Sequence, residues 1–74
     1  DRVDVRVGRA WMLLRQGAYE SARRDFDAVL SQRQLDTDIL NKCGFGLCHL
    51  GELDRAAEIM QRAFQLNPFA PSDY

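Results

Sequence analysis

The sequence predicts an all-α protein of about four helices, arranged as two tandem antiparallel helix-turn-helix pairs. Three observations support this fold class. Apolar residues recur three and four positions apart along most of the chain, which is the spacing of helices with one buried face. Gly17 and Gly51 interrupt this pattern once in each half. The chain also matches itself when it is shifted by 34 residues, which indicates an internal repeat.

The composition is that of one small globular domain, with 74 residues of which 46% are hydrophobic and 28% charged. No apolar run approaches the roughly 20 residues that a membrane span needs. The formal net charge of -1 gives no general attraction to polyanions. We therefore expect neither a membrane nor a nucleic acid as partner. Because the first residue is Asp1, we also expect the sequence to be part of a longer protein.

The first predicted pair occupies roughly residues 3–36. Its first helix is expected from about Val3 to Gln16 and is ended by Gly17, and its second helix is expected to begin near Tyr19. The residues expected to be buried are Val3, Val7, Ala10, Trp11 and Leu14, then Tyr19, Ala22, Phe26, Val29 and Leu30. A basic stripe on the first helix is expected to face solvent; it consists of Arg2, Arg6 and Arg9.

The second predicted pair occupies roughly residues 37–70. A polar segment, 31–34, separates it from the first pair, and Asp36 or Thr37 is expected to cap the third helix. That helix is expected from Asp38 to about His49, and the fourth from about Leu53 to Leu66. The residues expected to be buried are Leu40, Cys43, Gly44 and Leu47, then Leu53, Ala56, Ala57, Met60, Ala63 and Phe64.

Two features lie outside these buried faces. Glu20 with Arg24, and Glu58 with Arg62, have the spacing of ion pairs on outer helix surfaces. Residues 71–74 form a short tail whose Pro suits the first turn of a further helix.

The 34-residue unit resembles the tetratricopeptide repeat, and the second copy matches that family's pattern better. Its matching residues are Leu40, Cys43, Gly44, Leu47, Leu53, Ala56, Met60, Ala63 and Pro68. The first copy departs from the pattern, since Arg6 and Arg9 stand where the second copy has Leu40 and Cys43. Either this side of the first helix faces water at the end of an array, or a further segment covers it.

The resemblance implies a superhelical scaffold that binds a peptide or helix of another protein in a concave groove. The first helix of each pair would line this groove with Asp4, Val7, Gly8, Trp11, Leu14 and Arg15, and with Asp38, Asn41, Lys42, Phe45, Cys48 and His49. Trp11 and Phe45 occupy equivalent positions, so we expect them to lie side by side as anchors for a partner. The alternative is that both rings only fill space between helices.

Other readings of these residues are open. The resemblance also suggests a clamp that binds a C-terminal carboxylate. Asn41 and Lys42 match part of such a clamp, although Val7 and Trp11 stand where it requires basic and amide groups. A structural or regulatory role without a groove ligand is the second hypothesis. The chain would then stack on itself as a homo-oligomer, or serve as a segment of a larger bacterial signalling protein, a source that the preference for arginine over lysine favours. We expect Cys43 and Cys48 to be reduced, which favours a cytoplasmic location.

Catalysis and metal binding have little support in the sequence. Cys43, Cys48 and His49 have the residue types of metal ligands, but no further His or Cys exists to complete a tetrahedral site. The two cysteines also point about 140° apart on one predicted helix, so they cannot form a disulfide. No nucleophile is spaced to pair with His49, and no glycine-rich phosphate loop is present. We therefore expect no enzyme activity and no cofactor.

Overall fold

The computed structural model describes residues 2–32 and 35–67. These residues form four α-helices and no strand, which confirms the predicted all-α fold. The helices are α1 (Arg2–Arg15), α2 (Tyr19–Leu30), α3 (Thr37–His49) and α4 (Leu53–Leu66). The predicted tail at 71–74 lies outside the described residues.

The two turns that form the helix pairs have the same geometry. Gly17 and Gly51 have φ angles of +82° and +83°, in the left-handed region where a side chain would be strained. The N–H of Ala18 donates to Leu13 O at 2.9 Å, and that of Glu52 donates to Leu47 O at 3.0 Å. This six-residue closure around a left-handed glycine reverses the chain. Each glycine therefore folds its two helices into an antiparallel hairpin, as the sequence predicts.

The connection between the pairs differs from these glycine turns. Asp36 caps α3, because its Oδ1 accepts a hydrogen bond from the N–H of Ile39 at 2.8 Å. Leu35, directly before this cap, is buried in the core. The burial of Leu35 is not predicted by apolar periodicity, because an isolated Leu in a polar stretch has no periodic neighbours. An apolar residue at this position fixes the angle at which the chain enters a helix.

The two pairs meet along α1 and α3 and along α2 and α3, and the tightest contact lies between α2 and α3. Phe26 is the largest fully buried side chain, and its ring lies directly against Gly46. A Cβ atom at Gly46 would overlap the ring atoms Cζ, Cε2 and Cε1 of Phe26. Arg55 of α4 also reaches back to Asp27 of α2, with Nη2 and Oδ1 2.7 Å apart.

The predicted buried face of α4 is partly wrong. Leu53 and Phe64 are each 64% exposed, and Ala57 is also exposed. The buried face consists of Ala56 and Ala63, as predicted, and of Ile59, which was not predicted. The exposed apolar residues lie about a quarter turn away from this face, so the apolar pattern of α4 covers two faces. Tyr19, also expected to be buried, is likewise exposed on α2.

Neither predicted outer ion pair forms among the described residues. Glu20 pairs with Arg23 at 2.8 Å rather than with Arg24. Arg23 is also paired with Glu52 in the turn before α4, so this guanidinium faces the second pair, whereas Arg24 faces solvent. Glu58 and Arg62 are both exposed and do not pair.

Candidate functional site

The first helices of the two pairs, α1 and α3, run side by side in the same direction. Near the starts of the two helices, the negative charge of Asp4 contributes to raising the pKa of Lys42. Further along, the ring of Trp11 contacts the ring of His49. Between them lies an open cavity of about 460 Å³. We call this cavity the α1–α3 groove. It is lined by Asp4, Val7, Gly8, Trp11, Asp38, Ile39 and Lys42.

Trp11 lies at the centre of this arrangement and is half-buried. Its ring meets Phe26 edge-on at a centroid distance of 6.2 Å, and His49 edge-on at 5.5 Å. The described residues show no ring contact between Trp11 and Phe45, so the predicted side-by-side placement is wrong. The reason is that His49, one turn beyond Phe45, takes the position beside Trp11. Phe45 is 38% exposed at a separate place on α3.

Two residues predicted both for the core and for the groove are buried. Val7 is only 3% exposed and Leu14 is also buried, on the same face of α1 as Ala10. Val7 nevertheless lines the groove at its floor, so it meets both expectations, whereas Leu14 is not among the residues that line this cavity.

The remaining predicted groove residues keep accessible side chains. Gly8, Arg15, Lys42, Cys48 and His49 are exposed, and Asn41 is half-buried. A Cβ atom added at Gly8 would meet no other atom within 4 Å, so the groove is open above this residue. Ile39 also lines the groove but was not predicted.

The end of the groove near the helix starts carries a negative charge. Lys42 Nζ lies 3.0 Å from Asp38 Oδ2, and this hydrogen bond is the main reason why the pKa of Lys42 is raised. Asp4 and Asp36 raise it further through their charges. Three carboxylates thus face one ammonium, and the two helix N-termini add only about +0.5 each. Asp4 forms no ion pair with any residue that the structure describes.

This charge pattern is unfavourable for the carboxylate clamp suggested by the resemblance. Lys42 is already paired with Asp38, and the field around it is acidic. An incoming carboxylate would have to displace Asp38 while remaining close to Asp4. The groove is therefore better matched to a cation than to an anion at this end.

A second charged cluster lies outside the groove, between α1 and α2. Arg9 donates two hydrogen bonds to Asp25, from Nε to Oδ2 at 2.8 Å and from Nη2 to Oδ1 at 2.9 Å. The Arg9 hydrogen bond lowers the pKa of Asp25, burial opposes this shift, and the charges of Arg9 and Arg6 reinforce it. Arg9 and Arg6 of the predicted solvent-facing stripe thus hold a buried carboxylate, which indicates a structural role.

The cysteines are free thiols in unlike environments. Cys43 is fully buried, and this burial raises its pKa to about 11. Cys48 is exposed on α3. Within 2–32 and 35–67, no three His, Cys, Asp or Glu side chains are grouped closely enough to hold a metal ion.

No protein-family model, no curated protein and no solved structure matches this chain. The resemblance to the tetratricopeptide repeat therefore stays a prediction from the sequence. None of the four described helices combines the length and apolar character required to cross a bilayer.

Proposed function

We propose that this protein is an interaction module that binds a peptide or helix of another protein in the α1–α3 groove. The observation that carries the proposal is the open cavity of about 460 Å³ beside a half-buried Trp11. An indole ring held in place on one side and accessible on the other is a common anchor for a partner.

The charges of the groove favour a partner with a basic side chain. Among the residues that the structure describes, Asp4 forms no ion pair, and Gly8 leaves open space between Asp4 and Trp11. An Arg or Lys of the partner fits this space, with its aliphatic stem over Gly8 and its charged end at Asp4. The contact between an exposed carboxylate and a cation contributes about 0.2–1 kcal/mol, so it selects among peptides rather than providing most of the affinity.

The test uses two short fluorescein-labelled peptides with the same apolar residues, one carrying arginines and the other glutamates. We expect fluorescence anisotropy to show binding of the arginine peptide and weaker binding of the glutamate peptide. Amide chemical shifts should change along α1 and α3. If neither peptide binds and no shift in these helices changes, the groove does not bind peptides.

Two substitutions locate the binding to the groove. Gly8→Leu should block it sterically without disturbing the fold, because a side chain there meets no neighbour within 4 Å. Asp4→Asn should weaken binding of the arginine peptide by about two- to fivefold. The matched control is Asp54→Asn, which removes the same charge from an exposed position on α4 and should leave binding unchanged.

The proposed assignment to the tetratricopeptide repeat is supported by the 34-residue repeat and by the matching turns at Gly17 and Gly51. A cytoplasmic location is part of the same proposal and is supported by the free thiols of Cys43 and Cys48. A regulatory segment of a bacterial signalling protein is the alternative, and its support is limited to the sequence.

A further inference from the structure

The exposed apolar residues of α4 form one continuous stripe. We call the α4 stripe the set Leu53, Ala57, Met60 and Phe64, which follow one another at intervals of four, three and four residues. This spacing places all four side chains within a narrow arc of the helix. Leu53 and Phe64 are largely exposed, Ala57 is exposed and Met60 is half-buried. Met60 also packs against Gly44 of α3, where it would meet an added Cβ atom. The core face of α4 is otherwise formed by Ala56, Ile59 and Ala63, so Leu53, Ala57 and Phe64 have no role in the core of the described residues.

The two central positions of the equivalent stripe on α2 lie at an interface within the chain, whereas Tyr19, which corresponds to Leu53, is 56% exposed. A shift of 34 residues places Phe26 at the position of Met60, and Arg23 at the position of Ala57. Phe26 is fully buried against Gly46 of the second pair, and Arg23 is paired with Glu52 there. In the repeat of this chain, this side of the second helix is thus the side that receives a neighbouring helix.

We propose that the α4 stripe binds the α4 stripe of a second copy of this chain, with the two helices antiparallel about a two-fold axis. The stripe is self-complementary in this arrangement. Leu53 of one copy lies opposite Phe64 of the other, and Ala57 lies opposite Met60 of the other, so a small residue faces a long one at the centre. Both pairs occur twice, as two-fold symmetry requires.

The polar residues beside the stripe fit the same arrangement. Asp54 and Gln61 flank it on the solvent side, and the antiparallel register brings Gln61 of one copy near Asp54 of the other. The amide of Gln61 is then positioned to donate a hydrogen bond to the carboxylate of Asp54. Glu58 and Arg62 lie further round the helix, towards solvent. No like charges oppose one another across the proposed interface.

Head-to-tail stacking of identical copies does not reproduce the internal contact. The junction between the two pairs depends on Gly46, which leaves room for Phe26. The equivalent residue of the first pair is Met12, which is 58% exposed. A first pair stacked on Met60 of another copy would present a long side chain where the internal junction has none, so the two-fold arrangement is the better fit.

The interface is separate from the α1–α3 groove, so it does not depend on the proposed function. The stripe lies on α4, whereas the groove is formed by α1 and α3. A dimer of this kind leaves one open groove on each copy.

The first experiment measures the molar mass of the 74-residue chain by sedimentation equilibrium over a range of concentrations. We expect a dimer that dissociates on dilution. Phe64→Glu should raise the dissociation constant of the dimer at least about 100-fold, because burying an unpaired charge costs free energy. The control is Leu66→Glu, a substitution of another exposed apolar residue of α4 outside the stripe, and it should leave the dimer intact. Circular dichroism should show the same helicity in both variants, since each side chain is more than half exposed.

A charge exchange tests the register. Leu53→Glu and Phe64→Lys should each give monomers, and the double variant should recover the dimer, because the new Glu of each copy faces the new Lys of the other. A chain that is monomeric at every concentration overturns the proposal. So does a dimer that tolerates Phe64→Glu, or a double variant that stays monomeric while each single variant remains helical.

Discussion

The two helix pairs share a backbone pattern but hold their equivalent sites together with different chemistry. The first pair carries charged residues where the second carries apolar ones, namely Arg6, Arg9 and Asp25 against Leu40, Cys43 and Ile59. In the first pair the Arg9 side chain is 59% exposed and reaches over the α1–α2 contact to a buried carboxylate. In the second pair all three residues are buried.

This difference shows that the surroundings of each pair, rather than its hairpin fold, determine which residues suit a position. Arg9 spans an edge that solvent reaches, so its guanidinium keeps water on one side while it pairs with Asp25. Cys43 occupies the matching place where solvent does not reach. Phe26 and its equivalent Met60 also differ in their surroundings. The second pair covers Phe26 fully, whereas Met60 is only half-buried.

The largest expected effect follows from the contrast between Phe26 and Met60. Phe26→Ala should lower the free energy of unfolding by about 3–5 kcal/mol, because it leaves a cavity at the junction of the pairs. That loss is comparable to the total stability expected of a small domain. Met60→Ala should cost about 1–2 kcal/mol, because Met60 keeps part of its solvent contact in the native state. Urea denaturation followed by circular dichroism measures both, and equal losses would refute the contrast.

A second prediction compares glycines in the two first helices. Gly46→Ala should destabilise the protein by about 1–3 kcal/mol, because the added Cβ overlaps the Phe26 ring. Gly8→Ala should instead stabilise it by about 0.5–1 kcal/mol, because nothing lies near the added Cβ and alanine favours the helix. The same denaturation experiment applies. Stabilisation by both substitutions would show that the α2–α3 contact is loose.

The third prediction concerns acid stability and the charged cluster of the first pair. The pKa of Asp25 is lowered in the folded protein, so its contribution to stability is present above its ordinary pKa of 3.8 and is lost as pH falls through the lowered value. Asp25→Asn should destabilise the protein at neutral pH and flatten its loss of stability below about pH 4. Glu58→Gln, at an exposed position on α4, is the control. If the stability of Asp25→Asn depends on pH in the same way as that of the wild-type protein, this cluster does not contribute to acid unfolding.

The smallest expected effect concerns the reactivity of the two thiols and leaves the stability of the fold unchanged. Cys48 should react rapidly with a thiol reagent such as DTNB at pH 8, because it is exposed. Cys43 should react only when the protein unfolds, because it is buried and its pKa is raised to about 11. Cys48→Ser should remove the fast phase alone. Two fast thiols in the wild-type protein would show that the core of the second pair opens readily.

The sequence predicts the helices of this fold well, because glycine turns and apolar spacing are local signals. It predicts which faces are covered less well, because burial depends on neighbours that local spacing does not reveal. Ile59 was missed and Phe64 was assigned to the core for this reason. At the candidate site, Lys42 and His49 were correctly expected to be accessible. The contact between Trp11 and His49 was not predicted, since it depends on the offset between α1 and α3.

The narrow junction at Phe26 and Gly46 also bears on how the chain reaches its native state. Contacts within each hairpin far outnumber those between hairpins. Proteins dominated by short-range contacts fold in microseconds to milliseconds. Each hairpin can therefore form quickly from its own residues, and cooperativity depends on the few contacts between the hairpins, of which Phe26 on Gly46 is the tightest. Amide hydrogen exchange should accordingly show the two hairpins opening as separate units in Gly46→Ala, although they open together in the wild-type protein.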